Sequence, residues 1–548
     1  MKAAELLVKC FEAEGVEFVF GLPGEENADV MLALEDSTLN FILTRHEQGA
    51  AFMADVYGRL TGNAAVCLGT LGPGAANLVT GVADANMDRA PLVVLTGQAD
   101  SRRQHKESHQ YMDVVGMYKA ITKWATPIVH PGNIPEVVRK AFKLATTEKP
   151  GACHVELAED IAAMPVTGEP IAPRRLRRPV PDDKIVDQAV DLIRKARRPV
   201  ILAGNGCIRR RASKQLRIFA ESTGIGVIST FMGKGSVACD APYCLFTIGL
   251  QAKDHVACAV DAADLVITLG YDMVEYHPRL WNEKGDKRIV HVDFVPAEVD
   301  DHYRVDVEVV GDLAHTLWMF NERVKNDPPI YELKQHAAIR TAMLADFAEF
   351  KNDDTVGLIR PQKVIWDVRE ALGPSDILLS DVGAHKMWIA RYYNCYEPNT
   401  CLISNGFCSM GFALPGAIAA KLVFPDRRVL AICGDGGFLM NVQELETARR
   451  IGANIVAMIW EDGGYGLISW KQRNEFGRST RLEFGNPEFV KLAESFDCLG
   501  IRVNNARDLR PALERAFAAD RPCLIVIPID YRENALLTER LGNIACPI

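Results

Sequence analysis

The amino-acid sequence predicts an α/β fold made of three doubly wound parallel-sheet domains. Short apolar runs that end in Gly, Asp or Asn recur along the chain, and each is followed by a segment with helical spacing. This is the pattern of parallel strands joined by crossover helices. The chain has 548 residues, which is too many for a single hydrophobic core. Because two polar, proline-containing stretches interrupt the pattern, we expect three successive domains.

The strand-like runs divide among these domains. The first domain, expected at residues 1–165, holds FVFGLPG, FILTRHE, AVCLGTLGPG, LVVLTG and CHVELAED. The stretch MPVTGEPIAPRRLRRPVPDD at 164–183 is rich in proline and arginine and indicates a linker. The second domain, expected at 185–340, holds PVILAGNG, GVISTFMGKG, LVITLGYD and IVHVDFVP. The third, expected at 360–548, holds ILLSDVG, RVLAICGDGG, NIVAMIWEDGGYG and CLIVIPIDY.

Composition and charge disfavour several classes of function. The formal net charge of -9 argues against binding to nucleic acid. No run approaches the roughly 20 apolar residues of a membrane span, and the amino-terminal segment has the pattern of neither a signal peptide nor an anchor. Among the 14 cysteines, Cys67, Cys433 and Cys523 lie inside apolar strands. We therefore expect reduced core thiols, a cytoplasmic protein and no membrane association.

Two acidic, glycine-rich strand ends predict a phosphate and metal site in the third domain. The strand RVLAIC is followed by the turn Gly434–Gly437 and a helical segment, so backbone amides and the helix dipole favour an anion there. The next strand, NIVAMIW, ends at Glu461 and Asp462. Because adjacent parallel strands bring their carboxyl ends together, Asp435 and Asp462 can converge. Their oxygens together with phosphate oxygens suit Mg²⁺. The alternative is a tight turn beside a solvated strand end.

The spacing of these acidic turns resembles the motif of thiamine-diphosphate-dependent enzymes. TRHEQGAAFMADVYGRLTG (44–62) is similar to the segment that carries the activating glutamate of that family. TLGPGAANL (70–78) and LTGQ (95–98) resemble its pyrimidine-side loops, and NGFCSMGFALPGAIAAKL (405–422) resembles the segment whose methionine supports the bent cofactor. Further similar runs are HKESHQYMDVVGM, LGYDMVEYHPRLWN, MWIARYY and IPIDYRENALL. The resemblance covers nearly the whole chain and is greatest to acetolactate synthases of the catabolic, flavin-independent kind. It implies the thiamine-diphosphate-binding fold, with pyrimidine-binding, central Rossmann-like and diphosphate-binding domains in that order.

The resemblance also implies the site residues. Glu47 would be the catalytic glutamate beside the aminopyrimidine, and Gln110 would lie on the substrate side. On local pattern alone, Glu47 is also explained by a Thr44-x-x-Glu47 capping box. The residues expected to bind the cofactor are Pro23, Gly24, Thr70, Pro73, Asn77, Gln98, His385, Cys408, Met410, Gly434, Gly436, Gly437 and Leu467. The expected metal ligands are Asp435, Asp462 and Gly464.

The implied cofactors are thiamine diphosphate and Mg²⁺, and the implied reaction is a carboligation of 2-keto acids. Pyruvate would lose CO₂, and the remaining hydroxyethyl unit would pass to a second pyruvate to give 2-acetolactate. In this family the pyrimidine and diphosphate domains of one site come from different subunits, which implies a homodimer or a homotetramer. A decarboxylase or aldehyde lyase of the same family and a catalytically silent cofactor-binding paralogue stay open as alternatives. A nicotinamide dehydrogenase is disfavoured because the GNG turn at 204–206 lacks the third glycine and the acidic residue of that motif.

The sequence departs from the family pattern at positions near the substrate. Lys471 stands where synthases that prefer 2-ketobutyrate have a tryptophan, and Ala384 stands where flavin-dependent synthases have a glutamine. The loop GLPGEEN places Glu25 where it could lie near the reacting carbon. The run LGYDMVEYHP replaces the arginine-bearing segment that contacts flavin. We therefore expect no FAD and leave the choice of acceptor open.

Overall fold

The computed structural model describes residues 1–174, 178–209, 212–249 and 255–534. It consists of three six-stranded parallel sheets with helices on both faces, so the predicted fold class is confirmed. The predicted linker includes residues 175–177, and the third predicted domain includes residues 535–548, and both segments lie outside the described residues. The predicted domain boundaries themselves stay a prediction.

The first sheet has the strand order β2-β1-β3-β4-β6-β5. Its strands are β1 (Phe18–Gly21), β2 (Asn40–Leu43), β3 (Ala65–Gly69), β4 (Leu92–Gln98), β5 (Trp124–Ile128) and β6 (Ala152–Ala158). The helices are α1 (Ala3–Ala13), α2 (Ala28–Glu35), α3 (Glu47–Thr61), α4 (Pro73–Met87), α5 (Val114–Lys119), α6 (Ile134–Thr146) and α7 (Glu159–Ala163). Strands β3, β4 and β6 are buried along their whole length, which explains why they are continuous apolar runs rather than alternating ones.

The second sheet has the order β12-β11-β10-β7-β8-β9. Its strands are β7 (Pro199–Ala203), β8 (Gly226–Ser229), β9 (Cys244–Thr247), β10 (Leu265–Leu269), β11 (Arg288–Asp293) and β12 (Val307–Val310). The helices are α8 (Asp183–Lys195), α9 (Ala212–Thr223), α10 (His255–Ala262), α11 (Leu313–Val324) and α12 (Lys334–Ala348). Helix α8 begins after Asp182, whose side chain accepts hydrogen bonds from the main-chain N–H groups of Lys184 and Ile185, as an N-cap does.

The third sheet has the order β14-β13-β15-β16-β18-β17. Its strands are β13 (Ile377–Ser380), β14 (Cys401–Ile403), β15 (Val429–Gly434), β16 (Val456–Glu461), β17 (Leu499–Arg502) and β18 (Cys523–Pro528). The helices are α13 (Pro361–Ala371), α14 (Ala384–Tyr392), α15 (Ala413–Val423), α16 (Asp435–Phe438), α17 (Glu444–Arg450), α18 (Gly466–Phe476), α19 (Phe489–Ser495) and α20 (Leu509–Phe517). In the described ranges no helix is long and apolar enough to cross a membrane.

The first and third sheets share one hydrophobic core through helices α3 and α15. The rings of Phe52 and Phe412 meet edge to face, with centroids 5.8 Å apart, which is a favourable aromatic geometry. Cys67, Cys433 and Cys523 are buried free thiols, as the sequence predicts. The packing of α3 on α15 fixes how the beginning of α3 lies relative to the third sheet.

Candidate functional site

The carboxylate of Asp435 is held in place at the carboxyl end of β15. Strands β15 and β16 pair in parallel with Gly434 opposite Trp460, so their ends meet as the sequence predicts. Asp435 is 1% exposed. Its Oδ2 accepts hydrogen bonds from the N–H groups of Gly463 (2.7 Å) and Asp462 (3.2 Å) and from Asn486 Nδ2 (2.8 Å), while Oδ1 accepts from the N–H of Gly436 (2.8 Å). These donors orient an anionic carboxylate and leave it without a cationic partner.

Asp462 lies close enough to Asp435 for the two carboxylates to repel each other. Desolvation by the surrounding protein atoms and the nearby charge of Asp435 raise the pKa of Asp462 to about 7. The position of Gly466 depends on this arrangement, because an ideal Cβ there would lie only 2.4 Å from Asp462 Oδ2. A bound cation would relieve the repulsion between the two acids.

The donor set suits a cation that keeps several non-protein ligands. In the part of the chain that the structure describes, no group of three or more His, Cys, Asp or Glu side chains could hold a metal ion. Two carboxylates, the buried Oδ1 of Asn486 that lacks a partner, and the main-chain oxygen at Gly464 are the protein oxygens available. Mg²⁺ is commonly bound in this way, by one or two carboxylates together with phosphates and water.

His385 supplies an unpartnered donor beside the glycine turn. It lies in the first turn of α14, is 1% exposed, and its Nε2 has no hydrogen-bond partner. An ideal Cβ on Gly434 would lie 3.4 Å from its Cε1. Burial lowers the pKa of His385 to about 3, so the ring is neutral and can donate one N–H. A buried donor without a partner next to a turn of free amides fits a phosphate.

The rest of the predicted diphosphate cradle is tightly packed. An ideal Cβ on Gly437 would lie 2.8 Å from Asp381 Oδ2, and one on Gly436 would lie 3.0 Å from Tyr465 Cε1. These two positions therefore require glycine for the backbone to follow this path. Leu467 is half-buried at the beginning of α18. Gly434 to Gly437 are the end of β15 and the single turn α16, and the following helix α17 begins at Glu444.

Glu47 is the first residue of α3, and its carboxylate is held by one partner. It is 7% exposed, and its Oε2 accepts a hydrogen bond from Asn77 Nδ2 at 2.9 Å. The capping box that Thr44 and Glu47 could form is absent. The N-cap is His46, whose Nδ1 accepts from the N–H of Gln48. Thr44 is still extended, because its N–H continues the β1–β2 ladder, so the expectation of a purely structural Glu47 was wrong on this point.

Three other predicted residues surround Glu47 on the loops after β1 and β3. An ideal Cβ on Gly24 would lie 2.5 Å from the Cβ of Thr70, so these two loops touch. Thr70 Oγ1 donates to Glu26 Oε2 at 3.1 Å. Pro73 and Pro23 are exposed, which leaves this side of the first unit open to a ligand.

Gln98 and Gln110 differ in availability. Gln98 is buried, and its Nε2 donates to Glu156 Oε2 (2.9 Å) and to the carbonyl of Met112 (3.1 Å), so both amide protons are used within the first unit. Gln110 is exposed and has a φ of 57°, and its carbonyl packs against Gly72. Gln110 is therefore free to meet a substrate, whereas Gln98 supports its neighbours.

Cys408 and Met410 lie on a bent loop between β14 and α15. Cys408 has a φ of 58° and is exposed, and Met410 is half-buried. The loop is clamped by Asp381, which accepts from the N–H of Gly411 at 2.9 Å, and by Asn441 Nδ2, which donates to the carbonyl of Gly411 at 2.8 Å. The left-handed backbone at Cys408 turns its carbonyl away from the chain direction.

The structure brings the predicted residues together as two groups. The pyrimidine-side group lies on the first unit around Glu47, and the diphosphate-side group lies on the third unit around Asp435. Across the described ranges no hydrogen bond joins the two groups directly. They are coupled through Glu444, whose Oε1 accepts from the N–H groups of Arg45 (3.1 Å) and His46 (3.0 Å).

Sequence reasoning missed two residues of this arrangement. Asn486 donates to Asp435 from 51 positions further along the chain, and its only local signal, an Asn-Pro pair, predicts a turn. Glu444 reads as an ordinary residue of an amphipathic helix, and only the packing of α3 on α15 brings it under the N–H groups of Arg45 and His46.

Comparisons with known proteins agree with this geometry. Three models of thiamine pyrophosphate (that is, thiamine diphosphate) enzymes match the chain: the N-terminal TPP binding domain over residues 1–117, the central domain over 186–320 and the C-terminal TPP binding domain over 381–527. The chain is 35% identical to the acetolactate synthase of Bacillus subtilis (strain 168), covering 97% of this chain and 94% of that protein. It is 36% identical to the catabolic acetolactate synthase of Raoultella terrigena, over 98% and 97% of the two chains. It is also 36% identical to a probable acetolactate synthase large subunit of Methanocaldococcus jannaschii, over 100% and 96%.

Proposed function

The chain belongs to the thiamine pyrophosphate enzymes and is a thiamine-pyrophosphate-dependent enzyme similar to acetolactate synthase, and on this premise we propose that it makes 2-acetolactate from two molecules of pyruvate. One pyruvate loses CO₂, and the remaining two-carbon unit is joined to the keto carbon of the second. The observation that carries this proposal is the buried carboxylate of Glu47, positioned by Asn77, in a chain similar to acetolactate synthases over nearly its whole length.

We propose that the two groups of residues hold the ends of the cofactor. Asp435, Asp462 and the carbonyl of Gly464 would bind Mg²⁺, and His385 with the glycine turn would bind the diphosphate. Bound thiamine pyrophosphate supplies the nucleophilic carbon and the electron sink for decarboxylation. The unpartnered Nε2 of His385 and the uncompensated pair of acids support this assignment, because both need an anion bridged by a cation.

The residues of the chain then bind, orient and move protons. Glu47 would exchange a proton with the pyrimidine nitrogen beside it, which is the role of a positioned general acid or base. Asn77 keeps one oxygen of Glu47 fixed and leaves the other for that exchange. Cys408 would accept a hydrogen bond at its carbonyl, and Met410 would support the bent cofactor. Gln110, exposed on its loop, would contact the substrate.

We also propose that the central domain binds no FAD, because its glycine turn is already filled. The turn at 204–206 follows β7, where a nucleotide phosphate would lie in a dinucleotide-binding domain. Here Glu275 occupies it: one carboxylate oxygen accepts from the N–H of Asn205 at 2.9 Å, and the other accepts from the hydroxyl of Thr230. An ideal Cβ on Gly204 would lie 2.5 Å from the carbonyl of Gly270. A phosphate would have to displace a buried acid, so protein purified with added FAD should elute without flavin absorbance.

We infer a homodimer or homotetramer with each site at a subunit interface, in the cytoplasm. The separation of the site residues into two groups on different units supports the shared site. The buried free thiols support a reducing compartment.

The activity is tested with pyruvate, Mg²⁺ and thiamine pyrophosphate, and the products are read by proton NMR at neutral pH. Wild-type enzyme should form acetolactate. Glu47→Gln should lower kcat by about 100- to 10,000-fold, the usual value of a positioned general acid or base, while thiamine pyrophosphate binding is kept. Glu35→Gln, at the exposed end of α2, is the control and should keep full activity.

Each alternative gives its own result in this experiment. Acetaldehyde without acetolactate would indicate the decarboxylase. Cofactor binding without any product would indicate the silent paralogue. Full activity in Glu47→Gln would remove Glu47 from the proton transfer.

A further inference from the structure

A buried lysine lies at the junction of the second and third units without an anionic partner. Lys386 follows His385 in α14 and is 6% exposed. Its Nζ donates to Cys408 Sγ at 3.0 Å and lies 5.8 Å from the centre of the Phe231 ring. No carboxylate of the described ranges forms an ion pair with it. A thiol is a weak acceptor and an ammonium has three donors, so most of its hydrogen-bonding capacity is unused.

An ammonium buried in this way is costly unless an anion completes the site. The place where an anion could reach it is the cleft beside Cys408, since that residue is exposed and the next aromatic, Phe407, is 44% exposed. Cys408 is also the residue whose carbonyl is assigned to the pyrimidine ring. The ammonium therefore lies next to the reaction space rather than in the remote core.

The diphosphate is not the anion that Lys386 faces. Consecutive residues of an α-helix point about 100° apart, and His385 is directed to the glycine turn at Gly434. Lys386 is directed to Cys408 instead. The free anion that shares this part of the cleft is the carboxylate of a 2-keto acid.

We propose that Lys386 binds the carboxylate of the acceptor 2-keto acid and so selects keto acids over aldehydes as acceptors. This inference rests on the proposed function. A cation held against the donor carboxylate would oppose decarboxylation, because that charge disappears as CO₂ leaves, and the ground state would be stabilised more than the transition state. The acceptor carboxylate keeps its charge through the ligation. A lysine there contributes to binding without slowing the first step.

The test is the product ratio of the holoenzyme when pyruvate and acetaldehyde compete as acceptors. Acetolactate and acetoin are measured by proton NMR, and thiamine pyrophosphate binding is measured by tryptophan fluorescence. Lys386→Met should lower kcat/KM for pyruvate as acceptor by about 10- to 100-fold, as expected for loss of a charge-assisted hydrogen bond. Acetoin formation should stay within about twofold, and Lys386→Arg should restore part of the keto-acid preference.

Lys234 provides a matched control. It is also 6% exposed, but its Nζ donates to Thr247 Oγ1 (3.1 Å) and to the carbonyl of Ala390 (2.8 Å), so its role is structural. Lys234→Met should lower thermal stability and reduce both products together.

The outcomes separate this inference from the proposed function. An unchanged product ratio in Lys386→Met, or an equal loss of both products with weaker cofactor binding, would overturn the assignment of Lys386 alone. A wild-type enzyme that forms no acetolactate would overturn both proposals.

Discussion

The two ends of the candidate site differ in how their acids are held. At the diphosphate end, Asp435 receives four hydrogen bonds from its own unit and lies beside a second acid. At the pyrimidine end, Glu47 receives one hydrogen bond, from Asn77, and has no neighbouring acid bonded to it. The first arrangement is a rigid pair that needs a cation. The second is a single acid with a free oxygen, which is what proton exchange needs.

This difference teaches that a buried carboxylate is informative through its partners rather than through its burial. An acid fully satisfied by N–H donors stays ionised and serves as a ligand. An acid with one oxygen left open can gain and lose a proton at a defined place. The predictions below change one partner at a time.

The largest effect is expected from the cation end. Asp435→Asn should weaken thiamine pyrophosphate binding by roughly 100- to 1,000-fold, because a metal clamp on a phosphate is worth several kcal/mol. Chelation of Mg²⁺ from wild-type enzyme should have the same effect and be reversed by added Mg²⁺. Asp426→Asn, exposed in the same unit, is the control.

The same variant tests whether the two ends come from different subunits. Mixed dimers of Asp435→Asn and Glu47→Gln contain one site with both native acids only if each site is shared. Random exchange should then recover about one quarter of wild-type activity, as counted from two-fold symmetry. Recovery of nothing from well-mixed dimers would mean that each chain builds its own site.

A smaller effect is expected from the partner of Glu47. Asn77→Ala removes the hydrogen bond to Oε2 and should lower kcat by about tenfold, the value of one hydrogen bond to a charged group. KM for pyruvate should change little, because Asn77 acts through the orientation of Glu47. Asn63→Ala, exposed on the same unit, should behave as wild type. A change confined to KM would show that Asn77 contacts substrate instead.

The smallest effect concerns Glu444, which couples the two ends. Burial raises its pKa from an ordinary value of 4.5 to about 7. The folded protein therefore holds an extra proton between these values, and the stability this contributes is lost as pH rises through about 7. Gln resembles the protonated acid and keeps an oxygen for Arg45 and His46.

Glu444→Gln should consequently match wild type in stability at pH 5.5 and lose less of it by pH 7.5. The difference is at most about 1.4 kcal/mol per pH unit. It is measured as the fall in thermal midpoint between the two pH values. A variant whose midpoint falls as steeply as that of wild type would show that Glu444 does not titrate in this range.

Much of the molecule follows from local sequence signals. Apolar runs such as those of β3 and β15 are long enough, and their glycine ends regular enough, to predict parallel strands in three sheets. Asp435 and Asp462 follow neighbouring strands, so their convergence is also predictable. Thr44 shows the limit: its spacing from Glu47 fits a cap, but pairing of β2 with β1 keeps it extended and moves the cap to His46.

The sequence by itself determined the fold class, the glycine turns and the residue types of the site, because these depend on periodicity and on contacts between neighbouring elements. Only the tertiary structure decided which acids are satisfied and which are open. Asn486, Glu444 and Lys386 acquire their partners through packing between segments far apart in the chain, where no local pattern records the contact. Hydrogen-bond satisfaction is a property of the folded surroundings of a group, and it distinguishes a ligand, a proton carrier and an unpaired charge among residues that look alike in sequence.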